Sequence, residues 1–471
     1  MAQQSLNRYI KTFTSPLKLV TLWDTKHDCR HLKCKRLRNE RVPPISRLPV
    51  EVLCMIFEIV YLEPDPYWPD LPLTWTEITL SHVSAHWRRT ALHMPLLWSR
   101  IFVGWTHAAA STEAYLKRSG RRPLSIIINF VAKAALTRPK FRAIWHRLMR
   151  EMSRWRFLEI ANDEDLYGTL AFLEDASAPL LEEIEINNEE YDALMDVEPT
   201  PRRTILRGGA PRLKSIDCWG LIPRNFWPPL SGLTMLQFTY LPEEWPSLQY
   251  AEFASLVNAL PALTHLSVEG EPVSEYPRDA KLVFPSLLVL RMTGTHGEES
   301  DHVPRFWLYA TAPLLSTLHL LQYHDSDIQE LRNPYGPHPV FPSLASLITE
   351  ELDWSERMSP GFSAEAFETL ATAFPSIKHL MVMNEHDPAL TMLSVTDRWP
   401  DTMLVSLWGG TNLDMDIFKI QKMLRTRIAR GRPIPKLCIA NRPPTFPMFF
   451  VRNYVALELI KKPVNWGDFF C

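Results

Sequence analysis

One spacing of apolar residues recurs along most of this chain. The unit begins at a proline and places apolar residues two, five and seven positions later, as where Leu263, Leu266 and Val268 follow Pro261. Positions five and seven alternate as in a strand, so both point inward, and position two packs on the neighbouring coil. Clear copies begin at Pro179, Pro211, Pro261, Pro285, Pro313, Pro342 and Pro375. Weaker copies begin at Ser153, Ser231 and Pro400, and a last, poorly matching copy begins at Pro435.

The period and the intervening segments predict a fold. Start points lie 20 to 35 residues apart, and helix-like runs such as 253–260 and 362–370 lie between predicted strands, the second capped by Ser363. Stacked strand–helix units would bury a continuous core beside one parallel sheet. The L-x-x-L-x-L core at this period resembles a leucine-rich repeat. The resemblance implies an α/β fold with an irregular solenoid over 153–471; a doubly wound α/β domain is the alternative.

Residues 104–152 are predicted to form an N-terminal cap or a first irregular repeat, because terminal repeats are atypical. Residues 125–131 predict a buried strand. Residues 145–156 predict a helix.

The segment that precedes the repeats has a helical pattern. Pro49 suits the first position of a helix. The apolar face of that helix is predicted to contain Leu53, Ile56, Phe57 and Val60. A second run, Leu80, Val83, Trp87 and Ala91, has spacings of three, four and four residues. A third apolar cluster covers 96–102.

Together these segments read P-P-I-x-x-L-P-x-E-V-L-x-x-I-F, then V-x-x-x-W-R, then P-L-L-W. The pattern over 43–103 resembles an F-box, and looks most like the F-box proteins common in mushroom-forming fungi. The resemblance implies a small helical module that docks on a Skp-family adaptor and, through it, on a cullin. By that resemblance, the residues that form or support the docking surface are Pro44, Leu48, Pro49, Ile56, Phe57, Val83 and Trp87. A Pro-rich insertion at 62–76 departs from the family, so the segment could instead be only a structural cap for the repeats.

The two resemblances imply a substrate-recognition subunit of a Skp–cullin–F-box type ubiquitin ligase, with the repeats binding a target protein. Strand positions four, six and eight of each unit are expected to form the concave, partner-binding surface. Candidate target-binding residues are Glu185, Asp217, Trp219, His265, Glu269, Arg291, His319 and Trp408; Glu183, His379 and Met383 share the face. Trp219 and Trp408 are the strongest candidates, because exposed Trp carries much interface energy. The alternative is that this face is merely solvated and that the target binds at the Cys471 tail or at a loop between repeats.

Composition and charge restrict the kinds of partner and the cell compartment that we expect for this chain. The net charge of −2 points to no polyanionic partner, although residues 1–42 hold ten Lys and Arg against three acids. That arm is either loosely ordered or a nuclear import or polyanion-binding patch. Six scattered Cys, no apolar leader and no long apolar run predict the cytoplasm or the nucleus.

Catalytic and metal-binding patterns are weak. Gly is scarce and the phosphate-binding glycine motifs are missing, so no cofactor is predicted. The cluster His27, Cys29, His31 and Cys34 does not have the spacing of paired zinc ligands. Paired catalytic carboxylates need an apolar pocket that separates their pKa values, and the sequence around acidic pairs such as Glu182 and Glu183 indicates no such pocket. The nucleophile motif G-x-S-x-G is also missing from the sequence. The sequence predicts a protein that is not an enzyme and that binds no metal.

Overall fold

The computed structural model describes most of the chain from residue 48 onwards. The described ranges are 48–62, 75–104, 108–129, 138–161, 166–187, 203–219, 226–239, 248–273, 275–296, 301–302, 304–323, 325–333, 338–350, 362–383, 387–395, 397–408, 417–440 and 456–460. The chain divides into two compact units. The first comprises Met1–Leu166, Ala176–Ile184 and Gly208–Arg212, and the second comprises Tyr167–Asp175, Glu185–Arg207 and Leu213–Cys471.

The first unit is helical at its start and then alternates strands with helices. Its elements are α1 (Val50–Leu62), α2 (Thr76–Val83), α3 (Ala85–Leu92), a 3-10 helix (Pro95–Trp98), β1 (Arg100–Val103), α4 (Ala108–Arg118), β2 (Leu124–Asn129), α5 (Arg138–Met149), a 3-10 turn (Met152–Arg154) and β3 (Trp155–Ala161). The three strands pair in parallel in chain order, β1 with β2 and β2 with β3.

Two helix predictions in this unit are wrong in their boundaries. The run from Leu80 to Ala91 is interrupted at Ser84, whose backbone is extended and whose hydroxyl accepts a 3.2 Å hydrogen bond from the Trp87 N–H. Serine is a favoured N-cap residue, so a new helix starts there although the apolar spacing continues. The helix predicted over 145–156 ends at Met149, and a strand begins at Trp155. Leu158 and Ile160, which are two residues apart, are both buried. Burial at this spacing is typical of a strand and not of a helix.

Two elements, α6 (Leu166–Ala171) and β4 (Glu183–Asn187), have residues in both units. The second unit continues with β5 (Arg203–Thr204), β6 (Ser215–Trp219), β7 (Phe226–Trp227), β8 (Met235–Thr239), α7 (Tyr250–Asn258), β9 (His265–Glu269), β10 (Leu282–Val283), β11 (Val289–Thr293), β12 (Thr295–His296), β13 (Asp301–His302), a 3-10 helix (Phe306–Tyr309), β14 (Ala310–Thr311), β15 (Thr317–Leu321), α8 (Asp325–Ile328), a 3-10 helix (Gln329–Arg332), β16 (Ser346–Glu350), α9 (Ala364–Ala373), β17 (His379–Met383), α10 (Asp387–Val395), β18 (Leu404–Trp408), α11 (Ile417–Ala429), β19 (Lys436–Ala440) and β20 (Ala456–Ile460).

Ten of these strands form a parallel arrangement in chain order, which confirms an α/β fold with a large parallel sheet. The strands are β6, β8, β9, β11 and β15 to β20, each paired with the next. Equivalent repeat positions face each other, as where Leu266 pairs with Leu290 and Leu290 pairs with Leu318.

The predicted inward positions form the core of this unit. In the copy that begins at Pro285, the side chains at positions two, five and seven (Leu287, Leu290 and Met292) are each 0 % exposed. Adjacent copies are also joined by hydroxyl groups: Ser286 donates to the Pro261 carbonyl and Ser343 donates to the Pro313 carbonyl, both at 2.7 Å. Neighbour contacts of this kind are what stabilise a stack of repeated units.

The copy placed at Pro435 is wrong by three residues. Leu437 and Ile439 on β19 pair with Val405 and Leu407 on β18, so the unit begins at Arg432 and lacks the initial proline. The following strand, β20, was not predicted, although it pairs with β19 over five residues.

The two helix predictions between strands are confirmed. The Ser363 hydroxyl accepts a hydrogen bond from the Ala366 N–H at 3.2 Å, as expected of the cap of α9. The other helix, α7, begins earlier than predicted, and the Glu252 carboxylate accepts from the Gln249 N–H at 3.2 Å.

A buried carboxylate anchors the loop that follows β9. Glu271 accepts hydrogen bonds from the Tyr276 hydroxyl at 2.7 Å, from the Arg305 N–H at 2.7 Å and from the Val273 N–H at 3.1 Å. The Tyr276 ring stacks on the Tyr309 ring with 4.6 Å between centroids. Burial raises the pKa of Glu271 to about 7 despite these three donors.

Candidate functional site

The first candidate surface is on α1, which is apolar on two opposite sides. Leu53, Phe57 and Tyr61, spaced four residues apart, face the core and are at most 9 % exposed. The opposite side carries Val52, Met55, Ile59 and Leu62, which are 40 %, 62 %, 64 % and 60 % exposed. Their spacing of three, four and three residues puts them in one row, here called the outer stripe of α1. Glu51 and Glu58, which are both exposed, lie on the same helix, so the outer stripe is an apolar row beside two carboxylates.

Other apolar side chains of the same helices are also exposed. They are Val50 and Val60 on α1, Val83 at the end of α2 and Leu92 at the end of α3. Apolar side chains exposed in such numbers on one short segment favour an interaction site.

The structure divides the predicted adaptor-binding residues between surface and support. Pro49 and Val83 are exposed, Leu48, Ile56 and Trp87 are half-buried, and Phe57 is fully buried. The Phe57 ring contacts the Trp87 ring at 5.0 Å, so this pair holds α1 against α3. Pro44 lies outside the described residues. Sequence analysis missed the outer stripe, although the three-four-three spacing from Val52 to Leu62 would have revealed it.

Buried polar contacts fix α2 and α3 to the segment that follows. The Tyr115 hydroxyl on α4 donates to the Glu77 carboxylate on α2 at 2.5 Å, and the Trp98 indole donates to the Ala91 carbonyl at 2.8 Å. Burial raises the pKa values of both Glu77 and Tyr115. Contacts with α4 and with the 3-10 helix therefore hold α2 and α3 in one arrangement.

The second candidate surface is the sheet face formed by positions four, six and eight of each repeat in the second unit. The pairing of the strands aligns these positions in rows that run across the sheet. In the first row, Asp217 pairs with Gln237, Gln237 with Ser267, and Ser267 with Arg291. The next residue in the same row is His319. A second row contains Trp219, Glu269, Glu350 and Trp408.

Exposure divides this face into two parts. Trp219 is 40 % exposed, and the side chains of Glu185, Asp217, His265, Glu269 and Arg291 are half-buried. His319 and Trp408 are only 2 % and 4 % exposed, so the prediction that they lie on an accessible surface is wrong. Glu183, His379 and Met383 are half-buried. The accessible part is called here the polar sheet face; it consists of Glu185, Asp217, Trp219, His265, Glu269 and Arg291.

Electrostatics give the polar sheet face a negative balance. Burial lowers the pKa of Arg291, and the nearby carboxylates of Glu350, Glu269 and Asp217 partly oppose that shift. Burial also lowers the pKa values of His265 and His319, so both imidazoles are neutral at neutral pH. His319 Nε2 lies 3.3 Å from Glu350 Oε2. Within the polar sheet face, the carboxylates of Glu185, Asp217 and Glu269 therefore outnumber the single guanidinium of Arg291.

Among the described residues, no group of three or more His, Cys, Asp or Glu side chains is placed to hold a metal ion. The cluster from His27 to Cys34 lies outside the described residues. His379 Nε2 lies 3.0 Å from Ser406 Oγ, but Ser406 is only 2 % exposed, so this pair presents no nucleophile to solvent.

No protein-family model matches the chain, and no curated protein matches it. Within the described residues, none of the helices combines the length and the apolar character that crossing a membrane requires.

Proposed function

We propose that this chain is a substrate-recognition subunit of a Skp–cullin–F-box type ubiquitin ligase. The outer stripe of α1 is the observation that supports the adaptor half of this proposal. It places four exposed apolar residues on a helix whose sequence resembles the first part of an F-box. A Skp-family adaptor covering that stripe would remove the cost of leaving the apolar surface in water.

The polar sheet face supports the target half. Its carboxylates suit a target with a basic segment, and Trp219 supplies an exposed aromatic anchor. Such a subunit performs no bond chemistry of its own and needs no cofactor; it raises the effective concentration of a bound protein near the ubiquitin-conjugating enzyme. The proposal includes a location in the cytoplasm or the nucleus.

Charge introduced into the outer stripe tests the adaptor half. The variant Met55→Glu with Ile59→Glu changes two side chains that are more than 60 % exposed, so the fold should tolerate it. We expect loss of at least about 90 % of the co-purified adaptor and cullin, because an uncompensated buried charge is costly. A matched control is Val283→Glu with Leu314→Glu, which changes two exposed apolar residues of the second unit.

The control should retain adaptor, and both variants should keep the wild-type thermal melt. Adaptor binding that survives the α1 variant would reject the adaptor half. Leu48→Ala with Pro49→Ala provides a second variant, at residues that the F-box resemblance itself assigns to docking.

A repeat scaffold whose F-box-like segment is only a cap remains the second candidate. The bond from Tyr115 to Glu77 and the pairing of β1 with β2 favour it, because they join this segment to the helix α4 and to the strand β2 that follow. The same co-purification separates the two functions, since a cap would recover neither adaptor nor cullin with the wild-type chain.

A further inference from the structure

Residues 117–156 are far more basic than the chain as a whole. They contain twelve Lys and Arg and a single acid, Glu151, so this stretch has a net charge of +11, whereas the whole chain has −2. The stretch belongs to the first unit and runs from the end of α4 through β2 and α5 into β3. The charge of the whole chain points to no polyanionic partner, but it averages over this local excess of positive charge.

One arginine joins the two turns that precede β2 and β3. The Arg154 guanidinium donates to the Arg122 carbonyl at 3.0 Å and to the Ser119 hydroxyl at 2.9 Å, both in the turn after α4. The same guanidinium donates to the Glu151 carboxylate, in the turn after α5, at 2.9 Å. The two turns are therefore held side by side at the edge of the sheet where both strands begin.

The helix ends that meet at this edge carry exposed cations. Arg147 on α5 donates to Glu113 on α4 at 2.7 Å, so the C-terminal halves of the two helices lie next to each other. Neighbouring strands are about 4.8 Å apart, which keeps the starts of β2 and β3 equally close. Five exposed cations, here called the basic edge, lie at these ends: Lys117, Arg121, Arg122, Arg150 and Arg156.

The nearby carboxylates do not neutralise the basic edge. Those of Glu113 and Glu151 are bound to arginines outside the edge. Within the edge, Arg156 pairs with Glu182 at 2.8 Å. Among the described residues, no carboxylate forms such a pair with the other four cations of the edge. At least four positive charges therefore face solvent at one place on the first unit.

The surface around the basic edge lacks the groups that other partners need. In the described ranges 108–129 and 138–161, no large apolar or aromatic side chain is exposed. Protein interfaces normally have an apolar core, and membrane-binding surfaces insert apolar side chains into the lipid. Proteins that bind single-stranded nucleic acid use exposed aromatic rings to stack on the bases. Cations without such rings suit the phosphates of a double helix, whose bases are already stacked.

We propose that the basic edge binds the phosphate backbone of double-helical nucleic acid without reading its sequence. Arginine supplies four of the five cations, and its planar guanidinium fork matches two phosphate oxygens. The hydrogen bonds of Arg154 and Arg147 hold the edge in place before binding, so little conformational entropy is lost. This site goes beyond the proposed ligase function, because it shares no residue with the surfaces assigned to adaptor and target binding.

Two fluorescently labelled duplexes of about 20 base pairs, one of DNA and one of RNA, test the proposal on the full chain. By fluorescence anisotropy at about 50 mM salt, we expect a Kd of about 10 µM or tighter for at least one of them. A duplex of scrambled sequence should bind within about twofold, because phosphates carry no sequence information. A single strand of about 40 nucleotides, polyglutamate of about 40 residues and vesicles of anionic lipid should each bind more weakly than the duplex.

Variants of the chain locate the binding. Arg121→Glu, Arg122→Glu and Arg150→Glu combined should weaken duplex binding at least about tenfold. The slope of log K against log salt concentration should also become shallower by about three, roughly one for each lost phosphate contact. Lysine at the same three positions keeps the charge and should weaken binding by no more than about threefold, since Lys binds phosphate as a point charge.

A control variant makes the same change of total charge elsewhere. Arg278→Glu, Lys281→Glu and Lys422→Glu alter three exposed residues of the second unit. Binding should stay within about twofold of the wild type, because salt screens charges that lie away from the bound duplex. All variants keep the basic residues of 1–42, so a difference between them comes from the altered positions. Circular dichroism melts of all variants should match the wild type.

Several results would overturn the proposal. They are binding of neither duplex, wild-type binding by the glutamate variant of the basic edge, and equal loss in the control variant. Tighter binding of polyglutamate or of vesicles would identify an acidic protein or a membrane as the partner instead, and tighter binding of the single strand would show that a double helix is not the ligand. None of these measurements involves adaptor or cullin, so failure here is distinguishable from failure of the proposed ligase function.

Discussion

At the scale of single residues, burial outweighs local sequence in setting chemistry. Glu271 accepts three hydrogen bonds, which would ordinarily favour its charged form, yet burial raises its pKa to about 7. Trp219 and Trp408 occupy the same repeat position, yet one is 40 % exposed and the other is 4 % exposed. Sequence spacing placed both tryptophans correctly on one face, but only the folded chain shows which of them solvent reaches.

Glu271 makes stability depend on pH in a defined window. Its folded pKa of about 7 exceeds the ordinary value of 4.5, so its contribution is fully present below pH 4.5 and is lost as pH rises through 7. We expect the difference in unfolding free energy between the wild type and Glu271→Gln to shift by about 2 to 3 kcal/mol, against the wild type, from pH 5 to pH 8.

Urea unfolding followed by tryptophan fluorescence measures this difference at each pH. Glu365→Gln changes a carboxylate on the surface of α9 that is 72 % exposed, and should follow the wild type at both pH values. Parallel behaviour of Glu271→Gln and the wild type across the range would contradict the assignment.

At the scale of elements, the sequence predicted most strands and the wrong ends of some helices. Apolar positions two, five and seven are determined by core packing, so β6, β8, β9, β11 and β15 to β18 lie where the spacing puts them. The core packing does not require the initial proline of each unit. A pattern that starts at proline therefore did not indicate the unit that begins at Arg432. Ser84 ends one helix and caps the next through a single hydroxyl, and apolar spacing does not record such a bond.

The repeat register predicts where truncation is costly. Leu290→Ala removes a side chain that is 0 % exposed, and should lower the unfolding free energy by roughly 2 to 5 kcal/mol. Leu288→Ala, two residues away and 39 % exposed, should cost less than about 0.5 kcal/mol. Chemical denaturation of the two variants checks this contrast, and similar costs would show that the register is misassigned.

At the scale of the whole molecule, two surfaces differ in chemistry: the outer stripe of α1 is apolar and the polar sheet face is negative. The overall net charge of −2 does not reveal the sheet face, because opposite charges from the whole chain cancel in the sum. Charge counted over windows of the sequence would not have revealed it either, because its carboxylates come from separate strands.

Target recognition should therefore be separable from adaptor binding. Glu185→Lys and Asp217→Lys with Trp219→Ala should reduce co-purified target at least about fivefold while adaptor recovery stays at the wild-type level. Quantitative mass spectrometry of proteins recovered with the full chain measures both. Simultaneous loss of adaptor and target, or retention of both, would reject the polar sheet face as the target site.

The unequal burial of the sheet also has a consequence for hydrogen exchange. On β6 buried and accessible side chains alternate, whereas the three central residues of β15, β16, β17 and β18 are buried whichever way they point. Amide protection follows the free energy of local opening, which is lowest where one face meets water. We therefore expect the backbone amides beneath Asp217 and Trp219 to exchange with solvent faster than the central amides of β15 to β18, and this part of the sheet to adjust more readily to a bound partner.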